Sequence, residues 1–319
     1  MKSRRKINAI FRHLKVLFKL SVQMKNISIK IPALFSFSEC LRFLNRSENE
    51  CLFQVENKKI RKLFVFDEKP ILVELYLKND DFLELAFLND RPSIDQISRI
   101  KNYIENWLDL NYDLNPFYKM AKEDKLLATL IKKYNGLRLI GIPDFYEAIC
   151  WAIIGQQINL NFAYSVKRSL VERFGIMHEF MEKHYYHFPT PEKVLSITDR
   201  DFSDMKFSWQ KITYIRAISK NIVDQTIDFE QLANLEYDTA KKALMALYGI
   251  GNWSADYVLM KTFRHAQAFP IQDAGLQNAL KKSLELKNKP DLDTMLRLSK
   301  PWKGFEAYAT FYLWRSLYD

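Results

Sequence analysis

The chain has 319 residues, 48% of them hydrophobic and 27% charged, which suits one large domain or two ordinary ones and excludes disorder throughout. Eight glycines and ten prolines exclude collagen-like, low-complexity and glycine-rich nucleotide-loop designs, and three scattered cysteines (Cys40, Cys51, Cys150) cannot supply a four-thiolate cluster and point to a reducing compartment. The net charge of +10 invites a nucleic-acid or membrane-surface partner, but eight of those charges fall in the first 25 residues and the rest of the chain is nearly neutral.

Residues 1–26 read as a basic leader, disordered or helical. Lys2, Arg4, Arg5, Lys6, Arg12, Lys15, Lys19 and Lys25 occur there with no acid, while Ile7, Ile10, Phe11, Leu14, Leu17 and Phe18 share one helical stripe. A membrane-surface helix, an organellar presequence and a DNA-binding arm all carry this pattern. The plainer reading is preferred: an extended reading frame, with Met24 as an alternative start, or a weakly ordered tail. No apolar segment marks a signal peptide. The longest uncharged run, Ala148 to Val166, contains Gln156, Gln157, Asn159 and Asn161. It reads as a buried helix and a polar turn, so no membrane span is expected.

Residues 27–113 read as a small antiparallel sheet domain. Leu52 to Val55, Leu63 to Phe66, Ile71 to Leu77 and Phe82 to Leu88 are short apolar or alternating runs. Lys78-Asn79-Asp80-Asp81 is a turn between two of them, which accounts for its paired acids. Helices are expected near Phe37 to Leu44 and over Ile94 to Leu110.

Residues 114–319 read as helical to the end, so the fold class is α+β. Helices are expected near 119–134, 144–156, 160–174, 192–198, 200–206, 211–223, 238–247, 252–264, 273–284 and 291–318. Asp199 and Asp238 are N-cap candidates, and Phe188-Pro189-Thr190-Pro191 is a sharp break. His184 and His187 lack a third partner at ligand spacing and read as a solvated loop pair rather than a zinc site.

The stretch that carries chemistry is Leu247-Tyr248-Gly249-Ile250-Gly251-Asn252-Trp253-Ser254-Ala255. One helix ends at Leu247 and another starts at Asn252. Gly249 and Gly251 allow positive φ between them, and Ile250 can plug into the core. The free N–H groups of the second helix make an anion site for DNA phosphate that needs no lysine. Twenty residues beyond Trp253 comes Asp273, at the start of another helix. Asp273 reads as an N-cap, as a catalytic carboxylate, or as both.

These residues resemble the helix-hairpin-helix DNA glycosylase superfamily, and within it most closely the DNA-3-methyladenine glycosylase II branch. The resemblance extends to Phe145–Gly175, with Ile154-Gly155-Gln156-Gln157-Ile158, to Pro189-Thr190-Pro191, and weakly to Phe35-Ser36-Phe37 and Arg46-Ser47. It implies that residues 114–319 form an all-helical helix-hairpin-helix glycosylase domain. Lyase-type members carry a nucleophilic lysine where Trp253 stands, so a monofunctional hydrolase is implied. The cysteine count rules out the iron–sulfur branches.

The resemblance further implies Asp273 as catalytic residue and Trp253, Tyr257 and Trp302 as base pocket, with Gln157 or Ile158 as the wedge that fills the stack when a base is flipped. Gly249, Ile250, Gly251 and Asn252 form the DNA-binding hairpin. Backbone carbonyls of Met245, Leu247 and Ile250 would hold a structural monovalent cation, and no other cofactor is implied. The expected partner is duplex DNA with damaged bases. The expected enzyme is a bacterial-type, nucleoid-associated, cytoplasmic monomer acting on alkylated purines. A non-catalytic damaged-DNA-binding protein and a glycosylase for another lesion class remain as alternatives. Gly304 and Glu306 depart from a proline and an arginine common in the family, and Gln272 stands where relatives can have a second acid.

Overall fold

The computed structural model describes residues 26–319. The leader expected over 1–26, apart from Asn26, therefore lies outside the described residues.

A five-stranded antiparallel sheet comes first, in the order β1-β5-β4-β3-β2: β1 (Ile27–Lys30), β2 (Phe53–Glu56), β3 (Lys59–Phe66), β4 (Lys69–Asn79) and β5 (Phe82–Phe87). Four of these strands follow the expected runs. β1 did not stand out in the sequence because it is four residues long and borders the leader. It pairs with β5, setting Ile29 opposite Leu83 in the core. The β2–β3 and β3–β4 hairpins turn on Asn57-Lys58 and Asp67-Glu68, each with both residues at positive φ, the twist that suits a two-residue hairpin. Asn79 makes the β4–β5 turn by accepting from the N–H groups of Asp81 and Phe82.

Helix α1 (Phe37–Leu44) precedes β2, and α2 (Ile94–Trp107) packs on one sheet face. Tyr103 lies edge-on to Phe64 at 5.0 Å, and Trp107 sits 5.2 Å from Phe53. The other face is covered by an element the sequence reading missed, the hairpin of β6 (Ile176–Phe180) and β7 (Lys183–His187). Tyr185 packs there with Leu63 and Leu72. Its turn, Met181-Glu182, has positive φ at both residues but no glycine or asparagine, so the local signal was absent. The expectation of helix to the C-terminus is corrected accordingly. His184 and His187 lie on this strand. Among the described residues no group of three or more His, Cys, Asp or Glu could hold a metal.

The rest is helical: α3 (Asn115–Glu123), α4 (Leu127–Lys133), α5 (Phe145–Gly155), α6 (Leu160–Phe174), α7 (Pro191–Leu195), α8 (Asp199–Asp204), α9 (Trp209–Val223), α10 (Phe229–Asn234), α11 (Tyr237–Met245), α12 (Asn252–Lys261), α13 (Ala274–Ser283), α14 (Leu292–Ser299) and α15 (Glu306–Arg315). The expected 119–134 helix is two helices, because Asp124 caps the second by accepting from Leu126 and Leu127 N–H. The expected 291–318 helix is broken at Lys300–Trp302, around Pro301. Thr198, not Asp199, caps α8, and Glu236, not Asp238, precedes α11. Helix α5 is buried along nearly its whole length, as the uncharged run required. No helix among the described residues is long and apolar enough to cross a membrane.

One core runs across the expected boundary at 113/114. The C-terminal helix α15 returns to α1, with the Phe311 ring tilted against Phe43 at 4.4 Å and Arg315 paired to Glu39 at 3.0 Å, both charges buried. The pair belongs to a larger network, since Glu39 also pairs with Arg42 at 2.6 Å and Arg315 with Asp319 at 2.9 Å, so neither buried charge rests on a single partner.

Candidate active site

Helix α11 stops at Met245, and the chain reverses over Tyr248–Gly251 into α12. Gly249 has φ +89 and lies against the Tyr214 ring, 2.2 Å from where a Cβ would stand. Both the backbone and the close approach therefore demand glycine. Gly251 differs from expectation. Its φ is −93 and ψ −178, extended backbone open to any residue, and a Cβ there would meet nothing within 4 Å. Ile250 is 5% exposed and plugs the core as expected. Gly251 is the N-cap of α12 and no side chain caps that helix, so its first N–H groups remain available to an anion. Asn252 is exposed at this mouth. Tyr248 is 61% exposed beside it.

Asp273 caps α13, and its side chain does more than cap. Oδ1 accepts from Leu276 N–H at 2.7 Å and from the Trp314 indole at 2.7 Å; Oδ2 accepts from the Trp253 indole at 3.1 Å. Three donors fix the carboxylate, yet the residue is only half-buried. Burial raises its pKa above the ordinary aspartate range, with these hydrogen bonds pulling the other way. Gly275 makes room: a Cβ there would stand 2.9 Å from Asp273 Oδ1 and 3.3 Å from the Trp314 ring. Sequence reasoning missed Trp314 and Gly275.

The Trp253 and Tyr257 rings lie one turn apart on α12, 5.4 Å between centroids and 31° between planes. Trp314 continues the aromatic wall at 6.1 Å from Tyr257. The Tyr257 hydroxyl accepts from the Trp151 indole at 2.8 Å, which fixes its ring. Behind Tyr257 a cavity of about 40 Å³, lined by Arg46 and by the Lys167–Glu50 ion pair among others, has room for a water or two and none for an aromatic ligand. Tyr257 is itself only 8% exposed, whereas Trp253 is half-buried. Trp302 does not belong to this wall. It is 1% exposed, donates to Asp124 Oδ2 at 2.9 Å and sits edge-on to Phe269. It supports the loop that carries Asp273 from beneath, so its place in the pocket is corrected to the core.

The loop after α5 stands beside the hairpin. Gln157 is exposed with φ +56, whereas Ile158 is half-buried against the core. Of the two expected wedges, Gln157 is the one that projects. An open groove of about 820 Å³ runs between this loop, the start of α9 and the hairpin, and both Lys206 and Tyr248 line it.

Comparison with known proteins fits this geometry. A family model described as "HhH-GPD superfamily base excision DNA repair protein" matches residues 150–304, and one described as "8-oxoguanine DNA glycosylase, N-terminal domain" matches residues 19–149. The chain is 42% identical over 294 residues to a Bacillus subtilis (strain 168) protein named DNA-3-methyladenine glycosylase, covering 92% of this chain and 97% of that protein. It is 31% identical over 237 residues to the putative DNA-3-methyladenine glycosylase YfjP of the same organism, covering 74% and 78%. Among solved structures, a 3-methyladenine DNA-glycosylase from Archaeoglobus fulgidus superimposes with a TM-score of 0.78 at 22% identity, over 90% of this chain and 97% of that one.

Proposed function

Because the chain belongs to the HhH-GPD superfamily of base excision DNA repair proteins, we propose that this DNA glycosylase removes alkylated purines of the 3-methyladenine type from duplex DNA as a monofunctional hydrolase. The observation that carries the reading is the Asp273 carboxylate, held by two indoles and a helix N-terminus beside the neighbouring Trp253 and Tyr257 rings. The hairpin N–H groups hold a phosphate, Gln157 enters the stack, and the flipped base rests against the rings. An N-alkylated purine is cationic, so electron-rich rings attract it by about 0.5–2 kcal/mol each.

The same positive charge makes the base a good leaving group. The glycosidic electron pair goes to the departing ring, which leaves neutral, and the sugar takes the charge as an oxocarbenium ion. Asp273 faces that cation. Its carboxylate stabilises it and orients the water whose oxygen bonds to C1′ while a proton is released. Trp253 stands where a lysine would be needed for a Schiff base, and no lysine is among the hydrogen-bond partners of Asp273. The abasic product is therefore expected to remain uncut until alkali is added, and borohydride should trap no enzyme–DNA adduct. A monovalent cation on the carbonyls of Met245, Leu247 and Ile250 belongs to the same reading; a neutral oxygen donor set of this kind suits a hard, singly charged ion. The protein is taken to act as a nucleoid-associated monomer.

Release of free bases from methylated duplex DNA tests the proposal. Wild-type protein that binds such DNA without releasing a base would be a damage-binding protein, and release confined to deaminated or oxidised bases would assign another lesion class. Since the working form of Asp273 is the anion and its pKa is raised, excision should fall as pH drops through a value above the ordinary aspartate range. No second, falling limb is expected on the alkaline side, because a cationic base needs no acid. Single-turnover rates across pH check both. Trp302→Phe should lower stability by about 2–4 kcal/mol through the bond lost to Asp124 and the space that the smaller ring leaves in the core, with single-turnover excision changed by less than about threefold. A Trp302→Phe protein of full stability that no longer excises would return Trp302 to the pocket.

A further inference from the structure

Gln156 joins two parts of the DNA-binding face that are distant in sequence. It closes α5 with its own N–H on Ile153 O at 3.2 Å, and its side chain turns away from that helix. Nε2 donates to Gly249 O at 2.9 Å and to Ser254 Oγ at 3.0 Å, using both amide hydrogens. Gly249 is the left-handed residue of the phosphate-binding hairpin, and Ser254 is buried in the first turn of α12. The residue after Gln156 is the exposed Gln157, itself in the left-handed region, which a side chain occupies only when its surroundings hold it there.

Further contacts fix the ends of this loop. Lys211 from α9 donates to Ile154 O at 2.7 Å, and Asn159 caps α6 by accepting from Phe162 N–H at 2.9 Å. Neither reaches the hairpin. Gln156 supplies the hydrogen bonds between the two elements among the described residues, and it makes them to the hairpin's most constrained residue.

We propose that Gln156 is a positioning residue that fixes the depth of the Gln157 wedge relative to the phosphate anchor at the hairpin. The proposal rests on the reading of this chain as a base-flipping glycosylase. The hairpin grips one phosphate. The wedge has to enter the stack at a set distance from that grip, or the hole left by the flipped base stays unfilled and the base returns. An element that sets this distance matters only while a paired, stacked base is being extracted. It does not matter for breaking the glycosidic bond of a base already free.

The test is Gln156→Met, which keeps the length and apolar bulk of the side chain and removes both donors. Single-turnover excision of 7-methylguanine is measured in a duplex and in the same strand without its complement. Loss of about ten- to a hundredfold in duplex is expected, with less than threefold change in single strand, together with weaker 2-aminopurine fluorescence beside the lesion. Gln157→Ala should show the same dependence on strandedness, and the double variant should lose no more than the worse single one. Equal loss on both substrates, no loss on either, or additive losses in the double variant would overturn the proposal. Wild-type protein that excises from neither substrate would instead overturn the glycosylase reading beneath it.

Discussion

Asp273→Asn is expected to reduce single-turnover excision of alkylated purines by about a hundred- to a thousandfold while binding to duplex DNA persists. The size follows from the charge: the transition state carries a cation on the sugar, and a preorganised anion beside it in a half-buried site is typically worth ~3–4 kcal/mol. The substitution keeps an oxygen for the Leu276 N–H and Trp314 bonds and turns the other acceptor into an amide donor facing the Trp253 indole. One hydrogen bond is lost. Against that, the raised pKa means that the folded protein disfavours the ionised side chain at neutral pH, so removing the charge gives stability back above the folded pKa. The two terms oppose each other, and thermal unfolding at pH 7 should move only a few degrees. Full excision by a folded Asp273→Asn protein would remove Asp273 from the chemistry.

How much of this site was legible depended on whether the signal was local. The hairpin could be read because two glycines bracket an isoleucine between helix patterns. Asp273 could be read because an acid before a helix is a cap, and the motif upstream gave it a second meaning. Trp314 could not. It lies 41 residues beyond Asp273 on a helix buried on most sides, where an aromatic residue is ordinary. Only the return of α15 against α13 makes it a partner of the carboxylate. Trp302 failed in the opposite way: its motif matched the family, but the indole turns inward to Asp124. The β6–β7 hairpin was missed because Met181-Glu182 takes left-handed conformations that packing enforces and local propensity does not. Gln156 was legible as part of a wedge loop, yet its bond to Gly249 spans 93 residues and leaves no sequence pattern.

Gly249→Ala and Gly251→Ala should part company, although the two glycines look equivalent in the motif. At Gly249 a methyl group would stand 2.2 Å from the Tyr214 ring, on a backbone at φ +89. Left-handed backbone alone costs an alanine about 1–2 kcal/mol, and displacing a packed ring adds a similar amount. A loss of roughly 3 kcal/mol is expected, read by denaturant unfolding. The hairpin carries the phosphate site and receives the Gln156 bond, so DNA affinity should fall at least tenfold in the protein that still folds. At Gly251 neither cause operates. The backbone is extended, nothing lies within 4 Å of the added methyl, and no side-chain cap is lost. Stability should change by less than about 1 kcal/mol, since exchanging glycine for alanine at an N-cap costs a modest amount. The methyl would nevertheless project into the mouth where the first N–H groups of α12 are free. If a phosphate docks on those groups, Gly251→Ala weakens binding to an abasic-site duplex at least tenfold with its unfolding midpoint nearly unmoved. If the phosphate sits elsewhere, Gly251→Ala binds as well as wild type while Gly249→Ala is still destabilised by roughly 3 kcal/mol. Anisotropy titrations of both variants beside their unfolding curves decide whether the second glycine serves the fold or leaves room for a ligand.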